Sequence, residues 1–355
     1  MTPEKMAAVQ LTGHGGFEML NYRTDIDVPK PQTGEVLIRI AAAGINNTDV
    51  NTRIGWYSKS VETGTSEESI AATGSDDAGW AGVALQLPRI QGADICGHII
   101  NVGEGVDSAR IGDRVLVRSM MQMDNPFECE TMGSERDGGF AQYACAPAHE
   151  TYKVECDWTD AELASIPCAY STAENLLHRV GLGAEHVLIT GASGGVGSAA
   201  IQLAKRRGAR IFAVASKSKH KALLDLGADE VFDRNDDLVS KLGENCLDVV
   251  VDVVAGETWP DFLKLLKRGA RYVTAGAIAG PLVKLDVRTL YLKDLTLMGC
   301  TYQEAVVFEN LIGYIERGEI KPLVSKTFPL SEIVKAQKEF LQKKYVGKMV
   351  LIPPA

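Results

Sequence analysis

The chain has 355 residues, so two domains are expected, since one domain commonly holds about 150 residues. Its 37 basic and 46 acidic residues give a net charge of −9, which argues against a nucleic-acid surface because such a surface needs a basic face. Hydrophobic residues make up 45% of the chain and charged residues 23%, the balance of a globular protein and not of a disordered one.

The first part of the chain, to about Glu155, is predicted to be rich in β-strands. Short apolar runs occur at Glu35–Ile40, Asp94–Val102 and Arg114–Val117, and glycine and proline residues separate them. This spacing predicts a twisted antiparallel sheet or a partial barrel.

The segment Ser58–Pro88 interrupts this pattern. It is rich in Ser, Thr, Gly, Ala and acidic residues, and a structureless loop of this length is uncommon inside a compact domain. We predict a mobile surface loop. The alternative is a lid, for which Trp80 is the large apolar residue that could close over a ligand.

From about Trp158 to Gly299 the pattern changes to alternating strands and helices. Strands are predicted at His186–Thr190, Arg210–Ala215, Glu230–Phe232, Leu247–Val254, Arg271–Ala275 and Leu295–Met298. The valine run after Asp248 does not alternate with polar residues, as expected of a strand buried on both faces of a parallel sheet. The repeat predicts a doubly wound α/β domain over residues 156–299.

The tail, Cys300–Ala355, contains two predicted amphipathic helices and a closing strand, Lys348–Ile352. A tail of this length cannot form its own core. We therefore expect it to fold back onto the N-terminal sheet, which makes the β-rich domain discontinuous, with residues 1–155 and 300–355.

Membrane and export signals are not visible in the sequence. No stretch approaches the roughly 20 apolar residues that cross a bilayer, and the start of the chain lacks a basic region followed by an apolar run. The seven cysteines are scattered and never spaced as CxxC, which favours reduced thiols. A cytoplasmic protein without a membrane partner is expected.

A glycine-rich turn, HVLITGASGGVGSAA, begins at His186 and leads from a predicted strand into a predicted helix. Small residues let the backbone approach a pyrophosphate, and the helix N-terminus presents free N–H groups to the anion. The motif predicts a dinucleotide site formed by Gly191, Ser193, Gly194, Gly195, Val196 and Gly197.

The end of the next strand indicates which dinucleotide binds. An NAD site places an Asp or Glu about 20 residues beyond the glycines, to bind the ribose hydroxyls. The segment Ala215–Lys221 has no carboxylate there, and instead offers Ser216, Lys217 and Lys219. Hydroxyl and ammonium groups suit a 2′-phosphate, so NADPH is predicted over NADH. The alternative is that these lysines only begin a solvated helix.

With these motifs the chain resembles the medium-chain dehydrogenase/reductase superfamily over nearly its whole length. The resemblance includes GEVLIRIAAAGIN, GGFAQY, IPCAYSTAENLL, ITGASGGVGSAAIQLAK and GKMVLIP. It implies a Rossmann domain plus a GroES-like partial barrel. Within the superfamily, the chain is similar to the zinc-free, NADPH-dependent quinone oxidoreductase branch.

The family's zinc-ligand positions are altered here. The position of the first Cys holds Asn46, and the His-Glu pair is replaced by Ala93 and Asp94. Cys168 matches the third position, but one thiolate and one carboxylate cannot form a catalytic zinc site, which takes three protein ligands. No metal is predicted. Without a Lewis acid, the substrate should be a quinone or an α,β-unsaturated carbonyl compound, because conjugation spreads the incoming charge.

Two catalytic candidates follow from the resemblance. The Asn that matches Asn46 lies near the nicotinamide in the quinone oxidoreductase branch. The Tyr that matches Tyr57 is the proton-donor candidate of zinc-free enoyl thioester reductases, and a phenol suits that role. The alternative for Tyr57 is an aromatic wall residue.

Further expectations carry over from the family. Thr172, Arg234, Val254 and Gly276 are predicted to contact the coenzyme, with Arg234 near the adenosine phosphate. The alternative for Arg234 is a solvated surface charge. The edge strand Leu295–Met298 suggests a homodimer. An enoyl thioester reductase, or a non-catalytic protein that only binds NADPH, stays open as an alternative, since a fold alone does not establish activity.

Overall fold

The computed structural model describes residues 2–66, 78–79, 84–122 and 129–355. Trp80 and much of the predicted loop Ser58–Pro88 lie outside the described residues. Within the described parts of the chain, no helix is both long and apolar enough to span a bilayer.

The N-terminal part forms a β-rich domain. Its strands are β1 (Lys5–Leu11), β2 (Leu20–Asp27), β3 (Glu35–Gly44), β4 (Arg89–Ile90), β5 (Cys96–Val102), β6 (Arg114–Val117), β7 (Met120–Gln122), β8 (Cys129–Thr131), β9 (Tyr143–Pro147) and β10 (Thr151–Lys153), and helix α1 covers Asn47–Ile54. Strand β3 lies inside the sheet, where it pairs with β5, β9 and a strand from the tail, and most of its residues are buried on both faces. Its apolar residues pack in one core, with Ile38 and Ile99 fully buried.

The second domain is a six-stranded parallel sheet between helices. Its strands are β11 (His186–Ile189), β12 (Arg210–Ala215), β13 (Glu230–Asp233), β14 (Leu247–Asp252), β15 (Leu266–Thr274) and β16 (Thr296–Gly299). Its helices are α2 (Asp160–Leu163), α3 (Pro167–Arg179), α4 (Gly195–Arg206), α5 (His220–Leu226), α6 (Leu238–Leu242), α7 (Trp259–Leu265) and α8 (Val287–Leu292). The spatial order is β13-β12-β11-β14-β15-β16, so the glycine-rich turn after β11 lies near the middle of the sheet.

The tail joins both halves of the molecule. It contains α9 (Ala305–Glu316), β17 (Val324–Pro329), α10 (Ile333–Leu341) and β18 (Lys348–Ile352). Strand β18 pairs antiparallel with β3, with Val350 opposite Gly44, and it pairs parallel with β17. Helix α9 packs on α3 instead, where its Phe308 and Leu311 share the core of the parallel-sheet domain.

The predicted fold class, a doubly wound parallel sheet plus a discontinuous β-rich partial barrel, is confirmed. The largest difference in element bounds is at β15, which begins at Leu266 and not at Arg271. The segment Lys267–Gly269 has no apolar residues, so the sequence did not predict a strand there. The segment belongs to β15 because Leu266, just before it, pairs with Leu247 of β14.

Candidate functional site

A cavity of about 600 Å³ lies between the two domains, at the carboxyl ends of the parallel strands. The predicted site residues that line it are Asn46, Tyr57, Thr172, Gly191, Ser193, Gly194, Gly195, Val196, Gly197, Ser216, Lys219, Arg234, Val254 and Gly276. Lys217 is not among them. Its side chain is exposed, and its backbone N–H donates to the Asp233 carboxylate at 2.9 Å. Ligands of doubly wound sheets bind at this edge of the strands.

The glycine-rich turn has the close packing that its sequence predicts. Gly191 has a φ of +55°, a left-handed conformation that favours glycine. A Cβ on Gly197 would lie 2.4 Å from the Gly191 carbonyl oxygen, so only glycine allows this approach of helix to turn. Helix α4 begins at Gly195 and directs its first N–H groups toward the cavity, as an anion site requires.

Cations collect where β12 and β13 end, on the side of the cavity where the sequence predicts the adenosine phosphate. This side is named the adenosine end after that prediction. The Lys219 ammonium donates to the Ser193 hydroxyl at 3.0 Å and to the Lys343 carbonyl oxygen at 2.5 Å. Both oxygens are neutral, and the Asp236 carboxylate, which also lines this end, is paired with Lys241 at 2.6 Å. Burial, together with the positive charge of Arg234, lowers the pKa of Lys219. The adenosine end therefore holds positive charge that the described residues do not neutralise.

Lys343 belongs to this end and was missed by sequence reasoning. It comes from the tail after α10, and its ammonium donates to the Asn47 side chain at 2.9 Å, at the start of α1. The Gly347 N–H also donates to the Ser193 carbonyl oxygen at 3.2 Å. The tail thus connects the glycine-rich turn with α1 of the other domain. Apart from the basic pair Lys343-Lys344, no pattern in the sequence indicates this placement.

The opposite side of the cavity, called the reaction end here, contains a buried ion pair that the sequence did not reveal. The Lys348 ammonium on β18 donates to the Asp94 carboxylate at 2.7 Å and to the Asn46 side-chain oxygen. The Asn46 amide in turn donates to the same carboxylate at 2.8 Å. Asp94 and Lys348 are 0% and 3% exposed, so this is a buried and hydrogen-bonded pair. It holds both polar atoms of Asn46 in place.

Cys168 joins this network through its backbone N–H, whereas its thiol is uncharged. Its backbone N–H donates to the other oxygen of Asp94 at 2.5 Å. Burial, together with the negative charge of Asp94, raises the pKa of the thiol to about 12. The thiol is therefore neutral near pH 7 in this environment.

The residues at the family's zinc-ligand positions therefore do not fit the metal. Asn46 and Asp94 already accept hydrogen bonds from the Lys348 ammonium, and this fixed cation repels a second one. Among the residues that the structure describes, no group of three or more His, Cys, Asp or Glu side chains could hold a metal ion.

Tyr57 lies after α1 and lines the cavity at the reaction end. Its hydroxyl donates to the Thr48 hydroxyl at 3.1 Å, and removal of this hydroxyl from water raises its pKa to about 12. The phenol is thus a neutral hydrogen-bond donor across the working pH range. Asn51 of the same helix accepts from Thr65 at 3.0 Å, and the Thr65 N–H donates to the Ile278 carbonyl oxygen, which ties this segment to the second domain.

A buried carboxylate shapes the loop after β14, another feature missed by sequence reasoning. Asp252 accepts hydrogen bonds from the hydroxyls of Thr190 and Tyr272 and from the backbone N–H groups of Val254 and Ala255. Ala255 adopts a φ of +53°, a strained value for a residue with a side chain. The bonds to Asp252 hold this turn, and with it Val254, against the cavity.

Comparison with known proteins identifies the family. The model for the alcohol dehydrogenase GroES-like domain matches residues 32–156, and the model for zinc-binding dehydrogenases matches residues 195–317. The quinone oxidoreductase of Lama guanicoe is 30% identical, over 98% of this chain and 97% of that protein. The acryloyl-coenzyme A reductase of Metallosphaera sedula is 29% identical, over 98% and 99%.

A solved structure extends the comparison to three dimensions. The crystal structure of a candidate alcohol dehydrogenase from Sinorhizobium meliloti 1021 superimposes with a TM-score of 0.90 and 47% identity, over 99% of this chain and 98% of that one. The chain belongs to the medium-chain dehydrogenase/reductase superfamily. It is a quinone oxidoreductase-like member, and the predicted family is thereby confirmed.

Proposed function

We propose that this oxidoreductase uses NADPH and transfers hydride, without a metal, to a quinone or to the β-carbon of an α,β-unsaturated carbonyl compound. The observation that carries the proposal is the buried Lys348 ammonium bonded to Asn46 and Asp94. A fixed cation at two of the family's zinc-ligand positions repels a second cation and uses the oxygen atoms that the metal would need. The substrate must then accept hydride without a Lewis acid.

Preference for NADPH is supported by the charges of the adenosine end. A phosphate group carries nearly two negative charges near pH 7, and Lys219, Arg234 and Lys343 carry positive charge with neutral partners or none among the described residues. The hydroxyl of Ser216 lies beside them at the end of β12. Helix α4, which begins at Gly195, presents backbone N–H groups to the pyrophosphate.

The chemistry divides between the coenzyme and the chain. NADPH, when bound, supplies the hydride. The residues of the reaction end hold the acceptor: Asn46 is fixed by Lys348 and Asp94 as part of the wall near the nicotinamide, and Tyr57 offers its hydroxyl proton. In an enone, hydride adds to the β-carbon, charge moves to the carbonyl oxygen, and a hydrogen-bond donor stabilises the enolate before protonation.

The role of Tyr57 is tested by Tyr57→Phe. If the phenol stabilises and protonates the enolate, kcat/KM for an enone falls about 100-fold, while NADPH binds with unchanged affinity in a fluorescence titration. Tyr22→Phe, on the exposed strand β2, serves as the control. Full turnover of Tyr57→Phe on every enone would instead assign Tyr57 as a wall residue.

The proposed function is tested by following NADPH and NADH oxidation by the purified protein. We expect turnover with 1,4-benzoquinone and 2-cyclohexenone, tighter binding of NADPH than of NADH, and no effect of a metal chelator. Chelator-sensitive oxidation of saturated alcohols would overturn the proposal. Bound NADPH without turnover on any acceptor would favour the non-catalytic alternative.

An enoyl thioester reductase is the second candidate, and the 29% identical acryloyl-coenzyme A reductase supports it. A thioester is also a conjugated acceptor, so the same reaction end would serve it. Comparison of kcat/KM for acryloyl-CoA and for 2-cyclohexenone separates the two candidates.

We also infer a homodimer in which two copies meet at β16. This strand forms one edge of the parallel sheet, and its free edge can pair with another strand. Leu282, Val287, Tyr291 and Leu292 are exposed on the segment before it, an apolar surface that a second copy would cover. Sedimentation should give twice the 38.2 kDa mass of the chain, and a monomer at micromolar concentration would contradict the inference.

A further inference from the structure

Two buried polar side chains in the cavity have no hydrogen-bond partner. The Thr131 hydroxyl and the Gln303 side-chain oxygen are both free of partners within the described residues. Each residue is only 4% exposed, and both line the cavity between the domains. An unsatisfied buried polar group is costly, so such groups in a cavity point to a ligand that satisfies them.

The structure brings these two residues to the same segment, Arg118–Met120. The Arg118 guanidinium donates to the Gln303 carbonyl oxygen at 2.8 Å, and a buried double hydrogen bond to Glu150 holds the guanidinium. Met120 pairs with Thr131 across the β7–β8 hairpin, and the Ser119 carbonyl oxygen accepts from the Met132 N–H at 2.9 Å. These contacts fix the backbone at Thr131 and at Gln303, and the two side chains remain available for a ligand.

This pair lies away from the coenzyme's adenosine end. Gln303 follows β16, which forms one edge of the parallel sheet, whereas Arg234 follows β13 at the opposite edge. Thr131 belongs to the β-rich domain, as do Asn46 and Tyr57 of the reaction end. Both residues therefore line the part of the cavity that remains for the substrate.

We propose that Thr131 and Gln303 form a subsite for a hydroxyl group on the substrate, distinct from its conjugated carbonyl. One hydroxyl satisfies both residues, because its hydrogen is donated to the Gln303 oxygen while its oxygen accepts from Thr131. The inference rests on the proposed function and narrows its substrate class to hydroxyl-bearing enones and quinones. A site built to bond a hydroxyl rejects an analogue that lacks it more strongly than an apolar pocket rejects an added one.

The test compares 4-hydroxy-2-cyclohexenone with 4-methoxy-2-cyclohexenone, whose oxygen accepts but cannot donate. With NADPH and the full chain, kcat/KM should favour the hydroxyl compound by about tenfold or more. Gln303→Leu should bring this ratio close to one, because it removes the acceptor that only the hydroxyl compound can use. Thr131→Val should lower kcat/KM for both compounds, because each loses the hydrogen bond that its oxygen accepts, and Thr131→Ser should retain kcat/KM for both. Thr12→Val, at an exposed position that does not line the cavity, is the control.

A measurement without turnover makes the result independent of the proposed reaction. Calorimetric titration of the NADP⁺-loaded protein with 4-hydroxycyclohexanone and 4-methoxycyclohexanone should give the same order of affinity and the same response to the variants. Equal affinities in the unaltered protein, a ratio that survives Gln303→Leu, or unchanged affinities for both compounds in Thr131→Val, would overturn the subsite. Turnover of 2-cyclohexenone and 1,4-benzoquinone tests the proposed function separately, because neither compound carries a hydroxyl.

Discussion

The two ends of the cavity hold their lysines in opposite ways. At the reaction end, Lys348 is buried and bonded to the carboxylate of Asp94, so its charge is neutralised within the fold. At the adenosine end, Lys219 is bonded only to the neutral oxygens of Ser193 and Lys343. A paired lysine holds its neighbours in position, whereas a lysine with neutral partners keeps its charge for an anion.

Loss of the paired lysine should give the largest effect. Lys348→Met leaves the Asp94 carboxylate buried without a cation, which typically lowers the free energy of unfolding by about 3–5 kcal/mol. Urea unfolding at neutral pH measures this loss. The double variant Lys348→Met/Asp94→Asn should recover much of it, since no buried charge then remains. Equal free energies of unfolding for Lys348→Met and the unaltered protein would mean that the ion pair does not contribute to stability.

A second buried carboxyl group, that of Asp49, lies at the reaction end beside Asn46. Burial raises the pKa of Asp49 to about 7, although Lys348 and the Asn46 N–H act to lower it. Between about pH 4 and pH 7 the unfolded chain releases this proton while the folded chain keeps it. The free energy of unfolding then falls as pH rises, by about 1.4 kcal/mol per pH unit from this group, and the fall ends above about pH 7.

Asp49→Asn removes that titration. The stability of the unaltered protein relative to Asp49→Asn should therefore decrease by about 2 kcal/mol between about pH 5 and about pH 7. Urea unfolding of both proteins across this range gives the comparison. If the free energies of unfolding of the two proteins change in parallel with pH, Asp49 is ionised throughout this range, and Lys348 stabilises the carboxylates of both Asp49 and Asp94.

Loss of the unpaired lysine should affect binding more than stability. Lys219→Ala removes a charge-assisted hydrogen bond to the 2′-phosphate, so the Kd for NADPH should rise about tenfold while the Kd for NADH changes little. Fluorescence titration with both coenzymes measures the ratio. Lys221→Ala is the matched control, because Lys221 is exposed and paired with Asp225. An equal rise in Kd for both coenzymes would mean that Lys219 contacts a part of the molecule that NADPH and NADH share.

Much of the second domain was predictable because its sequence patterns are local. The strand Arg210–Ala215 has the predicted bounds. The glycine-rich turn was also found, since strand, glycines and helix follow one another within 15 residues. Chain neighbours interact there, and such interactions leave a signal in the sequence.

The reaction end was less predictable because its contacts span the chain. Lys348 and Asp94 are 254 residues apart, and Lys348 and Asn46 are 302 apart. The sequence showed that two zinc-ligand positions are altered, but it did not indicate that an ammonium group binds the residues found there. Thr131 and Gln303 gave no signal either, since an unsatisfied polar atom is defined only by what surrounds it.

The order of residues by itself determined the fold class, the family and the glycine-rich turn, because periodicity and turn residues act between neighbours along the chain. The tertiary structure alone decided where the charges of the cavity are neutralised. Pairing of β18 with β3 brings Lys348 beside Asp94, and the return of the tail brings Lys343 beside Lys219. The interaction energy of a charged group depends on its burial and on its partner, and both are properties of the folded chain.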